Sequence, residues 1–295
     1  MKLNQLRDLV AIVQCGSLRA AARHLGVAQS GLTRSIRALE KECGDNLFER
    51  DAKGMTLTPI GQMFYQRAST AVSELQRAKE EIAQVRGGTQ GSVTVGLSIM
   101  PHVGMLPFVL RAFYQRFPGV ALKIIEGLYP AIEPGLRNGS IDFYIGAAAQ
   151  TMPNTGLVCE VLFENTRIVV GRKGHPLAAA RTLGELTQAE WATPSLDLNA
   201  AVDLNELFAS FGLPPPNIRL QAHSAMTVLT ALSSSELLAM LPRQWMDWPL
   251  TKNVLQPILI QEHLPAPDIL FVRRVDLPLT PAAEYFCDLL RRRGP

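Results

Sequence analysis

The chain has 295 residues, 47% of them hydrophobic and 19% charged, with a formal net charge of +3. That length suits two or three globular units, and the composition excludes disordered, collagen-like and low-complexity chains. No apolar run approaches the ~18 residues of a transmembrane helix, and the polar opening Met1-Lys2-Leu3-Asn4-Gln5 lacks the apolar stretch of a signal peptide, so a cytoplasmic protein is expected.

Divided along the chain, the charge is informative. Residues 1–87 hold 13 Lys and Arg against 9 Asp and Glu, whereas residues 88–295 hold 16 against 17. The positive excess thus lies in the first third, as in a nucleic-acid module joined to a near-neutral domain.

Leu3, Leu6, Leu9, Val10 and Val13 recur at helical spacing, so residues 3–14 are predicted as a helix ended by Cys15-Gly16. Ser17 caps a second, Ala-rich helix to Leu25, and Gly26 supplies a turn. A third helix, from Ala28 to about Lys41, has Leu32, Ile36 and Leu39 as its buried stripe. Two short helices around a Gly-containing turn are a helix-turn-helix, whose second helix enters the DNA major groove. Its opposite face carries Gln29, Ser30, Thr33, Arg34 and Arg37, with Gln29 suited to adenine and Arg34 to guanine or phosphate. Leu47 and Phe48 close the small core. The hairpin around Gly54 reads as a wing whose Arg50 and Lys53 reach neighbouring phosphates. Thr58-Pro59 starts a new helix.

Ser17, Ala21, Ala22, Leu25, Gln29, Ile36, Leu39, Glu40, Leu47, Phe48, Arg50, Leu57, Thr58 and Gly61, in that order, resemble the DNA-binding module of the LysR-type transcriptional regulators. The chain departs from the family's usual pattern at Ala28, where Ser is usual, at Ser30-Gly31 in place of Pro-Ala, at Lys53 in place of Arg, and at Ile60 in place of Ala.

From Pro59 to about Val85, Phe64, Ala68, Ala71, Leu75, Ala78, Ile82 and Val85 step by alternate fours and threes. That is a heptad seam, with Arg67, Glu74, Arg77, Lys79, Glu80 and Glu81 on the outer face. It predicts a dimerisation helix that pairs two DNA-binding modules, followed by a hinge-like linker at Arg86–Gly91.

Beyond Gly91 strands and helices alternate: strand 92–97, helix 103–117, strand 120–125, helix 131–137 and strand 141–146. A second α/β stretch runs from Arg167 to Leu241, and a strand at 269–272 and a helix at 281–292 return at the end. The expected fold class is α plus α/β. It comprises a winged helix-turn-helix (1–58), a dimerisation helix (59–87), a hinge (88–91) and an effector domain (92–295). By resemblance that domain is two-lobed and periplasmic-binding-protein-like, with lobe one at 92–165 and 267–295 and lobe two at 166–266.

Ligands of open α/β sheets bind beyond the carboxyl ends of the strands. Ser98, Ile99, Met100 and His102 follow the first strand, Tyr129 the second and Ala147 the third, with Ser195 and His223 at comparable ends in the second lobe. These are the candidate effector contacts, although Ser98 and Ser224 read equally as helix caps and Met100 as core packing. The stretches 127–131 and 276–283 resemble the toluenesulfonate-responsive subgroup, which implies an aromatic acid or sulfonate effector.

The resemblance implies a ligand-responsive regulator that binds double-stranded promoter DNA, senses a small organic anion, assembles as a homodimer or homotetramer and has RNA polymerase among its partners. Two other classes compete: an enzyme under DNA control and a ligand-independent architectural DNA-binding protein. The chain lacks G-x-S-x-G, a P-loop, G-x-G-x-x-G and H-E-x-x-H. Its cysteines and histidines are scattered, so neither a metal nor a cofactor is expected.

Overall fold

The computed structural model describes residues 1–51, 54–147, 156–193, 198–222 and 224–293. Lys53, Ser195 and His223 lie outside them, as does the side chain of Arg50.

Three helices, α1 (Leu3–Cys15), α2 (Leu18–Leu25) and α3 (Gln29–Cys43), precede a hairpin of β1 (Phe48–Asp51) and β2 (Gly54–Leu57) and the long α4 (Pro59–Val85). Leu9, Ile12, Ala21, Leu32, Ile36, Leu39, Leu47 and Phe48 bury one core among them, with Ala68 of α4 packed against it. The Ser17 hydroxyl accepts the Ala20 N–H at 3.2 Å, capping α2. Thr58 caps α4 and also donates to Asn46 O at 2.8 Å, tying the start of the long helix to the segment that precedes the hairpin.

The alternating elements predict a largely parallel sheet, and the effector domain mixes parallel and antiparallel pairs. β3 (Gln90–Leu97) lies between β4 (Gly119–Glu126) and β5 (Phe143–Ala147), parallel to both. β6 (Leu157–Arg172) and β11 (Pro265–Arg274) run antiparallel to each other, and β11 also pairs antiparallel with β5. β6 belongs to both lobes: Leu157 to Thr166 pair with β11, and Arg167 to Val170 pair with β9 (Leu238–Pro242). Around that second half lie β7 (Glu190–Thr193) and β8 (Asn217–Gln221), with β10 (Leu255–Ile258) paired to β6. The half of β6 before Arg167 had no sequence signal, because Glu160, Glu164, Asn165 and Thr166 interrupt its apolar alternation.

Other differences are local. The expected helix over 103–117 is two, α5 (Ile99–Gly104) and α6 (Leu106–Arg116), broken at Met105 just before Pro107. α7 starts at Tyr129 with Pro130 in its first turn and runs to Arg137. α8 (Leu198–Ser210), α9 (Ala225–Ser234) and α10 (Pro281–Arg291) complete the α-helices of the described residues, and Ser224 makes no side-chain cap to α9. Val93, Val95, Leu97, Phe113, Phe143, Phe271 and Phe286 form the core of lobe one. Lobe two has two clusters, one around Trp191 and Phe208 and one around Trp245, Val228 and Leu232. None of the described helices is long and apolar enough to cross a membrane.

Candidate functional site

The first candidate surface is the outer face of α3. Leu32, Ile36 and Leu39 are buried, which turns Gln29, Ser30, Arg34 and Arg37 outward; Thr33 shares that face. The Thr33 hydroxyl donates to Gln29 O at 3.0 Å, so Thr33 has a methyl group and an acceptor left for a base edge. Thr33 and Arg37 also line a depression between α3 and the hairpin, with Leu18, Phe48 and Met55. Arg50 sits on β1 opposite Met55. Ala28 occupies the N-cap of α3 without a side-chain hydrogen bond, which leaves the first amides of that helix to solvent or to an anion. Its backbone is extended there, φ −69° and ψ 138°, as a capping residue requires. Ala28→Ser is therefore expected to raise stability by about 1 kcal/mol, read as a higher urea midpoint of the DNA-binding module.

Glu40 has a role that sequence reasoning missed. Its Oε1 accepts the N–H groups of Leu47 at 3.0 Å and Phe48 at 3.2 Å, joining the end of α3 to the hairpin. Glu40→Ala would leave two part-buried donors unsatisfied, an expected loss of about 2–3 kcal/mol. Glu40→Gln keeps an acceptor and is expected to lose about half as much; urea melts of the full chain decide it. The signal was a carboxylate one turn from the helix end, seven residues before an apolar pair.

The second candidate surface lies where the parallel strands of lobe one end. Leu97, Glu126 and Ala147 finish β3, β4 and β5 side by side, and α5 starts immediately after β3. Ser98 is only 3% exposed: its hydroxyl accepts the Ala147 N–H at 3.2 Å and does not cap α5. Ile99 is half-buried and packs, with Val103, on the Trp245 cluster of lobe two. His102 is half-buried, and its Nδ1 has no hydrogen-bond partner among the described residues. Ala147 is partly buried beside the same strand ends.

Two of the expected contacts are buried within lobe one. Met100 is buried in the core of lobe one, because α5 turns it under the strand ends. Tyr129 is only 5% exposed and packs on Tyr144, ring centroids 6.0 Å apart, with Ile132 and Leu136. Burial pushes the Tyr129 hydroxyl up to about 12. Its place in the first turn of α7, which starts two residues earlier than the alternation suggests, directs the ring into lobe one.

Glu126 faces the other lobe, and sequence reasoning gave it no role. Its Oε1 accepts the N–H of Ala225, the first residue of α9, at 2.9 Å. A carboxylate at a helix N-terminus is favoured by the amides and by the helix dipole. Thus strand ends of lobe one and a helix start of lobe two meet at one boundary, the usual place for a ligand in open α/β sheets.

The sequence model described as "LysR substrate binding domain" matches residues 86–295, and the one described as "Bacterial regulatory helix-turn-helix protein, lysR family" matches residues 3–62. The chain belongs to the LysR family of transcriptional regulators. It is a DNA-binding regulator with an effector-binding domain, and not an enzyme. Among LysR regulators it is similar to TdcA of Escherichia coli K12, 24% identical over 280 residues, which covers 95% of this chain and 89% of TdcA. It is 28% identical over 299 residues to CbbR of Xanthobacter flavus, covering 99% of this chain and 88% of CbbR. A full-length OxyR variant from Pseudomonas aeruginosa superposes with a TM-score of 0.73 at 22% identity, covering 99% of this chain and 95% of that one. CbnR, a LysR regulator solved in complex with its target DNA, gives 0.71 at 22% identity with full coverage of both chains.

Proposed function

We propose that this LysR regulator binds promoter DNA as a dimer or tetramer and changes that binding when a small organic anion, an aromatic acid or sulfonate, occupies the boundary between its lobes. The observation that carries the sensing half is the convergence of the ends of β3, β4 and β5 with α5 and the start of α9. With Tyr129 and Met100 buried and the Ser98 hydroxyl bonded to Ala147, the contacts that the described residues of lobe one offer an effector are Ile99, His102, Ala147 and the backbone around them, with Ser195 and His223 the candidates from lobe two.

Gln29, Ser30, Thr33, Arg34 and Arg37 read base edges, and Arg50 and Lys53 of the wing hold phosphates. A phosphate at the uncapped start of α3 suits the free amides there. Pairing rests on the α4 seam. The protein works in the cytoplasm, without a cofactor, and RNA polymerase is a further partner.

The test is footprinting of the purified protein on DNA upstream of its own gene, at fixed salt, with and without a panel of aromatic acids and sulfonates. Two protected half-sites whose pattern shifts with one compound are expected. Protection that no compound alters would remove the sensing half of the proposal, and no protection would remove the assigned target.

A further inference from the structure

Thr33, Ile36, Arg37 and Glu40 stand three and four residues apart and so share one stripe of α3, on the side of the hairpin. The far end of the stripe is tied to the hairpin, where Glu40 accepts the Leu47 and Phe48 N–H groups. Beside that tie lies a depression of about 260 Å³. Its apolar wall is built by Ile36 of α3, Phe48 of β1, Met55 of β2 and Leu18 at the start of α2. Ile36 and Phe48 are buried, and Leu18 and Met55 pack partly buried on the same core, so the fold of the module fixes this wall.

The rim is polar. Among the described residues around it, Arg37 is the one cation and Glu40 the one anion. They differ in what they already hold. One oxygen of Glu40 accepts two backbone amides, which partly offset its charge. The exposed Arg37 guanidinium has no carboxylate partner among the described residues, and its planar fork of N–H donors suits a carboxylate or sulfonate. The exposed side-chain amide of Asn46 is likewise without a partner among them. Leu18 is the first residue of α2, so the positive end of that helix lies at the same rim. A cavity of roughly 150 Å³ lined by aliphatic and aromatic side chains holds a benzene molecule, so a ring fits here with room left for a charged group. A cationic ring would meet Arg37, and an uncharged one would cover the guanidinium without pairing it.

We propose that this depression is a second ligand site, for a single-ring aromatic anion whose ring lies on Ile36, Phe48 and Met55 and whose acid group pairs with Arg37. Thr33 and Arg37 belong to the face of α3 assigned to DNA, so the ligand excludes DNA directly. The site is complete within the DNA-binding module and works whatever the lobes of the effector domain bind.

Hydrogen exchange of the full chain without DNA tests it, in ~10 mM sodium benzoate, benzamide or sodium acetate at matched ionic strength. Benzoate is expected to slow exchange over residues 33–40 and 55–57 by about threefold or more, and benzamide and acetate are not. Arg37→Gln removes the pairing charge and Asn46→Asp adds one that repels the ligand, and each is expected to abolish that protection. On a duplex of arbitrary sequence at low salt, benzoate should raise the apparent Kd of the wild type about threefold relative to acetate, and leave that of Arg37→Gln unchanged. Absence of benzoate protection over 33–40 in the wild type would overturn the site. So would equal protection by benzamide, or protection that survives both substitutions. Protection confined to the lobe boundary would place benzoate in the effector domain alone, which overturns this site and leaves the proposed function standing. Protection of 33–40 by the duplex but not by benzoate would give the depression to the DNA backbone instead. Unchanged DNA affinity of the wild type in benzoate would overturn the competition. The wild-type readouts decide the matter even where a variant fails to fold, which far-UV circular dichroism reports.

Discussion

Gly61→Ala is expected to unfold the DNA-binding module while leaving the effector domain folded. Gly61 lies in the first turn of α4, and a Cβ there would come 1.9 Å from the backbone oxygen of Leu47 and 2.8 Å from its carbonyl carbon. No side-chain rotation relieves a clash with backbone. The Leu47 peptide itself cannot withdraw, because Glu40 holds its N–H and the Thr58 N–H donates to its oxygen at 3.1 Å. The Leu47 side chain is fully buried in the core. Either α4 moves out, which breaks the Thr58 ties and strips Ala68 and Phe64 from the core, or the hairpin does. Overpacking against a fixed backbone costs about 3 kcal/mol or more. A module of some sixty residues has little more stability than that. A two-transition thermal melt should lose its N-terminal component while the other remains, and DNA affinity should vanish with it. A wild-type melt with wild-type DNA binding would show that α4 does not seat against Leu47 as described.

The double substitution Leu75→Glu/Ile82→Glu is expected to separate the paired modules. Leu75 is 47% exposed, Ile82 55% and Val85 73%, although all three lie on one stripe of a 27-residue helix. Exposed apolar residues at heptad spacing gain by burial against a second helix, by roughly 1.5–3 kcal/mol for each large side chain covered. The opposite face already carries the contacts to lobe one, so charge on the seam does not unseat α4 from its own chain. The variant should run as a smaller species in light scattering coupled to gel filtration. On DNA with two half-sites its affinity should fall by about 10²-fold or more, since the second module is no longer tethered to the first. Unchanged mass would place the pairing surface elsewhere.

Much of the fold was legible because local rules decide it. The stripe of Leu32, Ile36 and Leu39, the cap at Ser17 and the Thr58-Pro59 start each depend on neighbours a few residues away, and each stands where the pattern placed it. Local rules also exposed one face of α3, by burying the other. The seam of α4 was readable for the same reason, its period being a property of one helix.

Other features depend on residues distant in the chain. The charged face of α4 reads from sequence as solvated, yet Glu74, Arg77 and Glu80 are partly buried, and Arg77 and Glu80 hold Asp142, Gly139 and Ser92. Helical periodicity reports that a face is polar and cannot say whether water or another domain satisfies it. Tyr129 and Met100 sit next to strand ends in sequence but inside lobe one in space, because α7 begins two residues and α5 four residues earlier than the pattern predicts, and each helical residue turns its side chain by about 100°. Glu126 carries no motif at all, and its partner Ala225 is 99 residues away across the boundary between the lobes. Short-range periodicity and an ordered set of residues were thus enough to specify a LysR regulator with its winged module, long helix and two-lobed domain. Which polar side chains are free to meet DNA or an effector, and which hold the domains together, was settled by the packing of each face against elements remote in sequence.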